Sequence, residues 1–505
     1  MKQETAEQWK LFLDLLRKIS SYQEAVSLMH WDLRTGAPRK GAEARSETIG
    51  LLSTEAFKLQ TSPEMGQYLS YLNHDTVLGE LDATGRRLVE LVQEEYDRSV
   101  KIPPEKYQEY VELTAHAETL WADFKENNDF AGFEPYLTRI VELTQEFIDY
   151  WGPKDTRYDT LLDMYEPDLT VEKLDQVFGQ FRDRIVPLVD AITSSPNKPE
   201  APFLNQLYDK GQQEKIGLFL LEQIGYDFEA GRLDETVHPF EITLNQGDVR
   251  ITTHYLQDDP TSSMFSTLHE GGHALYEQNV SPELAGTPLS QGTSMGIHES
   301  QSRFWENIIG RSQAFWTRYY GELQQHFPEQ LKDVTAEQFY RAANRVENSL
   351  IRTEADELTY NLHIIIRYEI EKMIFNEGLP ISELPKVWNE KYKAYLGLTP
   401  PNDGLGVLQD VHWSGGSFGY FPSYALGNMY AAQITNTLRK ELPQFDGFVE
   451  DGNFTPIKEW LTENIYKHGK SLKPAEIIMN ITGEPLNPDY LAAYLEEKFK
   501  AIYGI

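Results

Sequence analysis

The pentapeptide His269-Glu270-Gly271-Gly272-His273 constrains the chain more than any other segment, because its residues make chemical sense only on an α-helix. Residues four apart on a helix share one face about one turn apart, so both imidazoles can reach a single metal ion. Glu270 then lies beside an open coordination position, where a general base belongs. The flanking runs Ser262 to Leu268 and Ala274 to Glu277 extend the segment into one continuous helix, with Ser262 or Ser263 as its N-cap. Two adjacent glycines inside a helix cost about 1 kcal/mol each relative to alanine. Their presence points to close approach of another backbone, either a substrate strand or a neighbouring element.

A catalytic zinc site needs a third protein ligand and one position left open. Asn279 stands where the longer H-E-x-x-H-x-x-G-x-x-H pattern would require histidine, and no inverted H-x-x-E-H occurs. The ligand must come from elsewhere in the chain. After the breaker-rich stretch Ser281 to Pro288, with Gly292 and Gly296 beyond it, a second helix opens at His298. Glu299 stands 26 residues past His273, far enough for that helix to fold back and offer a carboxylate. Glu306, two turns further on, competes for the position. Glu270-x-x-His273 is also half of a di-iron signature, so a non-catalytic metal-binding helical protein is a rival reading. Its second half is missing: the other E-x-x-H, Glu235 to His238, runs into Pro239 and a strand.

The rest of the chain reads as mainly α. Apolar residues recur at helical spacing from Glu7 to about Thr193, as in Trp9, Phe12, Leu13, Leu16 and Ile19. After the start signal Asp168-Leu169-Thr170 the same spacing returns in Leu174, Val177, Phe178, Phe181 and Ile185. The loop Ser194 to Pro202 separates an amino-terminal helical half, about 1–195, from a catalytic half, about 203–505, within a single domain spanning 1–505. Two strands stand out, Glu241 to Leu244 and Val249 to Tyr255, joined by a turn at Asn245 to Asp248. Such a hairpin beside the histidine helix would offer an extended peptide an edge to pair with. The net charge of −33 argues against nucleic acid or an anionic membrane surface as partner, since both demand a basic footprint. Cysteine is absent, which removes thiolate ligands and nucleophiles. The polar start Met1 to Gln8, with no run of 18 apolar residues, leads to the expectation of a cytoplasmic protein.

Five motifs in order carry a family resemblance that covers nearly the whole chain. They are Asp248-Val249-Arg250-Ile251-Thr252, the H-E-G-G-H segment, His298-Glu299-Ser300-Gln301, Ile351 to Asp356 (I-R-x-x-A-D), and Gly406 to Trp413 (G-x-x-Q-D-x-H-W). Together with the opening run Met29 to Pro38, they resemble the carboxypeptidase Taq family of zinc metallocarboxypeptidases. The resemblance implies a nearly all-helical fold related to neurolysin, with a small sheet beside a deep groove and zinc at its base. It also implies removal of single C-terminal residues, and a homodimer. Zn²⁺, one per chain and replaceable by Co²⁺, would be held by His269, His273 and Glu299. Arg303 stands four residues after Glu299, where thermolysin-like enzymes carry an aspartate that steadies a ligand histidine. The groups that orient His269 and His273 are therefore left open.

A carboxypeptidase acts on peptides with a free C-terminus, and the planar fork of arginine suits that carboxylate best. Arg250 and Arg352, each inside a motif, are the candidates, with a salt bridge to Asp248, Glu354 or Asp356 as the alternative role. His412, Tyr420 and Tyr424 resemble the downstream His/Tyr set of neurolysin-like enzymes that donates hydrogen bonds to a tetrahedral oxyanion. His238 either contacts substrate or caps the hairpin. Within the enzyme class the nearest alternative is an oligoendopeptidase of similar fold.

Overall fold

A computed structural model describes residues Met1–Ile505. The first helix, α1 (Gln3–Arg34), buries Phe12, Leu15, Leu16 and Ile19 on one stripe and ends with Trp31 buried near its C-terminus. Helix α2 (Ala83–Lys101) is capped by Asp82, whose carboxylate accepts from Gly85 N at 2.7 Å. Helix α3 (Val171–Thr193) starts from Thr170 as expected and buries the whole stripe Leu174, Val177, Phe178, Phe181 and Ile185. One contiguous cluster of buried apolar side chains runs from Phe12 to Tyr503, so both ends of the chain close onto the same core.

Beyond the loop at Ser194 to Pro202 come α4 (Lys210–Ile224) and a three-stranded sheet of order β1-β3-β2. The expected hairpin is present as β2 (Glu241–Asn245) and β3 (Asp248–Thr253), paired antiparallel with Glu241 opposite Ile251. It ends at Thr253, two residues short of the expected Tyr255. There the Thr253 hydroxyl bonds to Ser266 Oγ at 2.8 Å and anchors the strand end to the following helix. The third strand, β1 (Leu233–Glu235), pairs parallel with β3; its three residues are too short to show any alternation in sequence.

The histidine helix α5 (Pro260–Gln278) starts earlier than the serines suggest. Asp259 caps it, accepting from Thr261 N at 3.0 Å with Pro260 at the first helical position, while Ser263 turns inward to Gln213. Helix α6 (Met295–Arg303) is capped by Ser294, so His298 and Glu299 fall inside it and do not open it. Beyond Arg303 the helix widens into a π-turn, Phe304–Ile309. Helices α7 (Tyr360–Glu377) and α8 (Pro422–Glu441) complete the surroundings of the site, and the glycine-bearing stretch Gly397 to Phe421 between them is irregular. No helix is long and apolar enough to cross a membrane.

Candidate active site

The paired glycines of α5 are explained by two neighbouring helices. A Cβ on Gly271 would lie 2.8 Å from Leu221 of α4, and one on Gly272 would lie 2.5 Å from the Gln301 carbonyl of α6. On the far side of α6, a Cβ on Gly427 of α8 would strike the Glu299 side chain. Absent side chains on α5 and α8 thus let α6 wedge between them and fix Glu299 over the histidines.

His269 Nε2 and His273 Nε2 lie 3.6 and 3.5 Å from Glu299 Oε2. For metal bonds of about 2.0–2.2 Å in a tetrahedron, ligand atoms stand about 3.3–3.6 Å apart. These three side chains, with ligand atoms all within 4.8 Å of one another, therefore fit a small divalent metal. Burial pushes His273 down to about 3, which keeps its imidazole neutral as a ligand must be. Burial alone would raise Glu299, but Arg303 and His269 overcome it and hold the carboxylate well below its usual range. Arg303 Nε donates to Glu299 Oε1 at 2.7 Å.

The orienting groups that sequence reasoning left open are visible here. Glu306 does not compete for the third ligand position: its Oε2 sits 2.9 Å from His269 Nδ1, and Arg303 and Arg311 hold it at 3.2 and 3.3 Å. His273 Nδ1 faces His298 Nδ1 at 2.5 Å, and His298 Nε2 lies 2.9 Å from Glu277 Oε1. When His273 binds metal through Nε2, its Nδ1 carries the proton. His298 Nδ1 must then accept, so His298 Nε2 donates to Glu277. His298 and Glu277 were not singled out by sequence reasoning; the one signal was Glu277 standing a turn beyond His273 on the same helix face.

Glu270 is buried, stands outside the His269, His273 and Glu299 group, and has no ion-pair partner. Burial pushes its carboxyl up to about 7 against the opposing pull of His269. Nearby, Glu241 of β2 is pushed up to about 8 by burial and then by Glu277.

A second charged cluster begins one aromatic ring away. The Arg303 guanidinium sits 4.5 Å from the centre of the Tyr360 ring, and Arg352 Nη1 donates to the Tyr360 hydroxyl at 3.1 Å. Arg352, 6% exposed, grips Asp410 Oδ1 through Nε and Nη2 at 2.9 and 2.8 Å. The fully buried Arg367 reaches Asp410 Oδ2 from the other side at 2.7 Å. Neither Glu354 nor Asp356, the sequence neighbours weighed as partners, takes this role. Two guanidiniums share one carboxylate, and one positive charge is left over.

Arg250 differs. Its Nε and Nη2 bond both oxygens of Asp248 at 2.7 Å, and the guanidinium lies over Trp31 at 5.5 Å. Val249, Ile251 and Thr253 are buried on the face toward α5, so strand alternation turns Arg250 to the opposite face, toward α1. His238 lies exposed on the connection between β1 and β2.

His412, Tyr420 and Tyr424 come together between the two clusters. His412 Nε2 is 3.2 Å from the Tyr424 hydroxyl, the Tyr420 and Tyr424 rings stand 5.2 Å apart, and Arg352 lies 5.0 Å from the Tyr424 ring centre. Burial pushes the Tyr420 hydroxyl up to about 12, and the Glu299 carboxylate adds to it. Burial and then Arg352 push His412 down to about 4, so its ring is neutral. Its Nδ1 is buried without a partner.

Comparison with known proteins finds relatives over nearly the full length of the chain. The profile of the family described as carboxypeptidase Taq (M32) metallopeptidase matches residues 11–499. Carboxypeptidase 1 of Bacillus subtilis is 52% identical over 494 residues, covering 98% of each chain. Thermostable carboxypeptidase 1 of Thermus thermophilus is 39% identical, covering 97% of this chain and 98% of its own. The crystal structure of M32 carboxypeptidase from Deinococcus radiodurans superposes with a TM-score of 0.95 at 36% identity, covering 99% of this chain and all of the other. The chain belongs to the carboxypeptidase Taq (M32) family of metallopeptidases and is a metallocarboxypeptidase, a peptide hydrolase.

Proposed function

We propose that the metal is Zn²⁺, replaceable by Co²⁺, held by His269 Nε2, His273 Nε2 and Glu299 Oε2, and that Glu270 is the general base. When bound, such an ion supplies Lewis-acid polarisation of a carbonyl and lowers the pKa of water. Glu270 takes the proton of the attacking water and returns it to the nitrogen of the departing amino acid. Tyr420 and Tyr424, held against neutral His412, donate hydroxyl hydrogen bonds to the carbonyl oxygen as it gains charge.

The C-terminal carboxylate of the peptide goes to Arg352, with Arg367 and Asp410 fixing its orientation. The observation that carries this reading is the two-to-one ratio of guanidinium to carboxylate at Asp410, joined to the metal ligands through Tyr360 and Arg303. Arg250, already neutralised by Asp248 and turned toward α1, takes a secondary part away from the cleaved bond, and His238 contacts the longer part of the peptide. The reading extends to a homodimer, as the family resemblance implies, working in the cytoplasm. The test is mass spectrometry of a mixed peptide digest with and without chelator. Ladders of single residues lost from the C-terminus, abolished by chelation and restored by Zn²⁺, are expected; internal cleavage overturns the reading.

A further inference from the structure

A cavity of about 370 Å³ is lined in part by His298 and Glu277, and His298 stands between it and His273. It is bounded by α2, by β2, by the end of α5 and by the start of α6. The arginine cluster is reached from Glu299 through Arg303 and Tyr360, whereas this cavity is reached from His273 through His298. With the peptide's C-terminus at Arg352, the cavity receives the part of the peptide on the amino side of the cleaved bond.

Its lysines and arginines stand away from His298 and are engaged there, Lys473 also by Asp168. Arg98 and Lys154 are taken by Asp163, and Arg87 and Lys473 by Glu90. Lys470 donates to the Gln291 side chain. Four carboxylates in the lining, Glu94, Glu95, Glu241 and Glu277, have no lysine or arginine partner. Glu277 supplies an independent mark of a missing ligand. It is 3% exposed, its Oε1 accepts from His298 and from Gly292 N, and its Oε2 is buried with no hydrogen-bond partner. An unpaired buried carboxylate oxygen costs stability unless something fills the position. Glu241 faces the same space: it pairs opposite Ile251, whose side chain is buried toward α5, so Glu241 also points to that side, and its one polar contact is the Thr243 hydroxyl at 2.6 Å.

We infer that this cavity is a cation-selecting subsite, in which Glu241 and Glu277 receive an ammonium or guanidinium carried by the peptide on the amino side of the cleaved bond. The inference rests on the proposed function above for the direction in which the peptide lies. Two parts of a peptide can bring that charge: a lysine or arginine side chain at the penultimate position, or the free α-ammonium of a short peptide.

Two matched pairs of peptides test it. One pair has lysine or norleucine at the penultimate position with the N-terminus acetylated; the other has a free or acetylated N-terminus with norleucine retained. The wild type should favour the cationic member of at least one pair by about 10-fold in kcat/KM, and Glu241→Gln should compress that ratio to about 2-fold, while Glu241→Asp keeps much of it. Which pair responds identifies the source of the charge. The same ratios, read as Kd on the chelated wild type and the chelated Glu241→Gln variant, report the subsite without turnover. They therefore stand even if the general-base assignment fails. Equal handling of both members of both pairs by the wild type, or a preference that survives Glu241→Gln, overturns the inference.

Discussion

The two ends of the site are built from the same kinds of charged side chain and are unbalanced in opposite directions. At the histidine end, Arg303 and Arg311 hold Glu299 and Glu306, and Glu270 beside them has no cationic ion-pair partner. At the arginine end, Arg352 and Arg367 face the single carboxylate of Asp410. Each end lacks the charge that its proposed occupant brings: a divalent cation in one case, a peptide carboxylate in the other. Arg250 with Asp248 serves as an internal control, a one-to-one pair that lacks nothing. Motif membership alone does not separate Arg250 from Arg352; the count of opposing charges does.

The largest effect comes from removing the chemistry while leaving both ends intact. Glu270→Gln should lower kcat by about 10²–10⁴-fold, the range for a general base, with metal content held at the wild-type level by elemental analysis. Activity retained in a metal-loaded variant would remove Glu270 from its role.

The arginine end comes next. Arg352→Ala strips the proposed partner from a desolvated carboxylate and should cost about 2–5 kcal/mol in transition-state binding on free-acid peptides. Amidated peptides carry no such charge, so their poor hydrolysis should hardly change, and the acid-to-amide ratio of kcat/KM should collapse. Arg250→Ala should leave that ratio near the wild-type value. A collapse in Arg250→Ala with none in Arg352→Ala would invert the comparison and return the carboxylate site to the sheet.

The histidine end is probed by its supports. Glu299→Ala should abolish tight metal binding, because two neutral imidazoles make an incomplete set. Glu306→Ala and His298→Ala should each weaken it by about 10–100-fold, the usual effect of removing a group that orients a ligand. His298→Asn presents an amide oxygen that can accept from His273 Nδ1, and partial recovery is expected. Metal affinity measured by competition with a chelator ranks the four variants. Full affinity in His298→Ala would show that the His273–His298–Glu277 chain does not set the ligand's tautomer.

What the sequence disclosed follows from how local each feature is. The histidine pair, Glu299 and the two glycines lie on helices whose periodicity is written in consecutive residues; the α3 stripe is buried where that spacing puts it, and in α1 Phe12, Leu16 and Ile19 are buried while Trp9 and Leu13 are partly so. The hairpin was legible for the same reason. Features that depend on tertiary packing were not. Arg352 meets Asp410 across 58 residues, and nothing near Arg352 in the chain names that partner. Glu306 was read as a rival ligand because straight helical counting keeps it on the face of Glu299. The π-turn from Phe304 widens the helix there, and Glu306 lies against His269 Nδ1, behind the ligand atoms. Residue type does not separate the cap at Asp259 from Ser262 and Ser263, since aspartate and serine cap equally well, and only the fold shows Ser263 drawn inward by Gln213.

The smallest expected effect concerns the scaffold of the arginine end. Glu371 of α7 is fully buried and accepts from Tyr158 OH at 2.5 Å, Trp413 Nε1 at 2.7 Å and Gly419 N at 2.8 Å. It thereby pins the irregular stretch that carries Asp410 and His412. Burial pushes its carboxyl up to about 7, above the value of 4.5 for an unhindered glutamate. The folded state therefore binds the proton more tightly than the unfolded state. Its contribution to stability is fully present below about pH 4.5 and is lost as pH rises through about 7, a change on the order of 1–3 kcal/mol. Glu371→Gln cannot titrate, so it should flatten this part of the fall in stability between pH 5 and 8, whatever constant offset the amide adds by facing one of the three donors with its own N–H. Denaturant unfolding across that range, with and without chelator, gives the slopes. The change in slope should be the same with metal present or removed, since Glu371 serves the arginine end. A change that appears only in the metal-loaded protein would mean that the two ends are not independent, and the charge count at each could no longer be read separately.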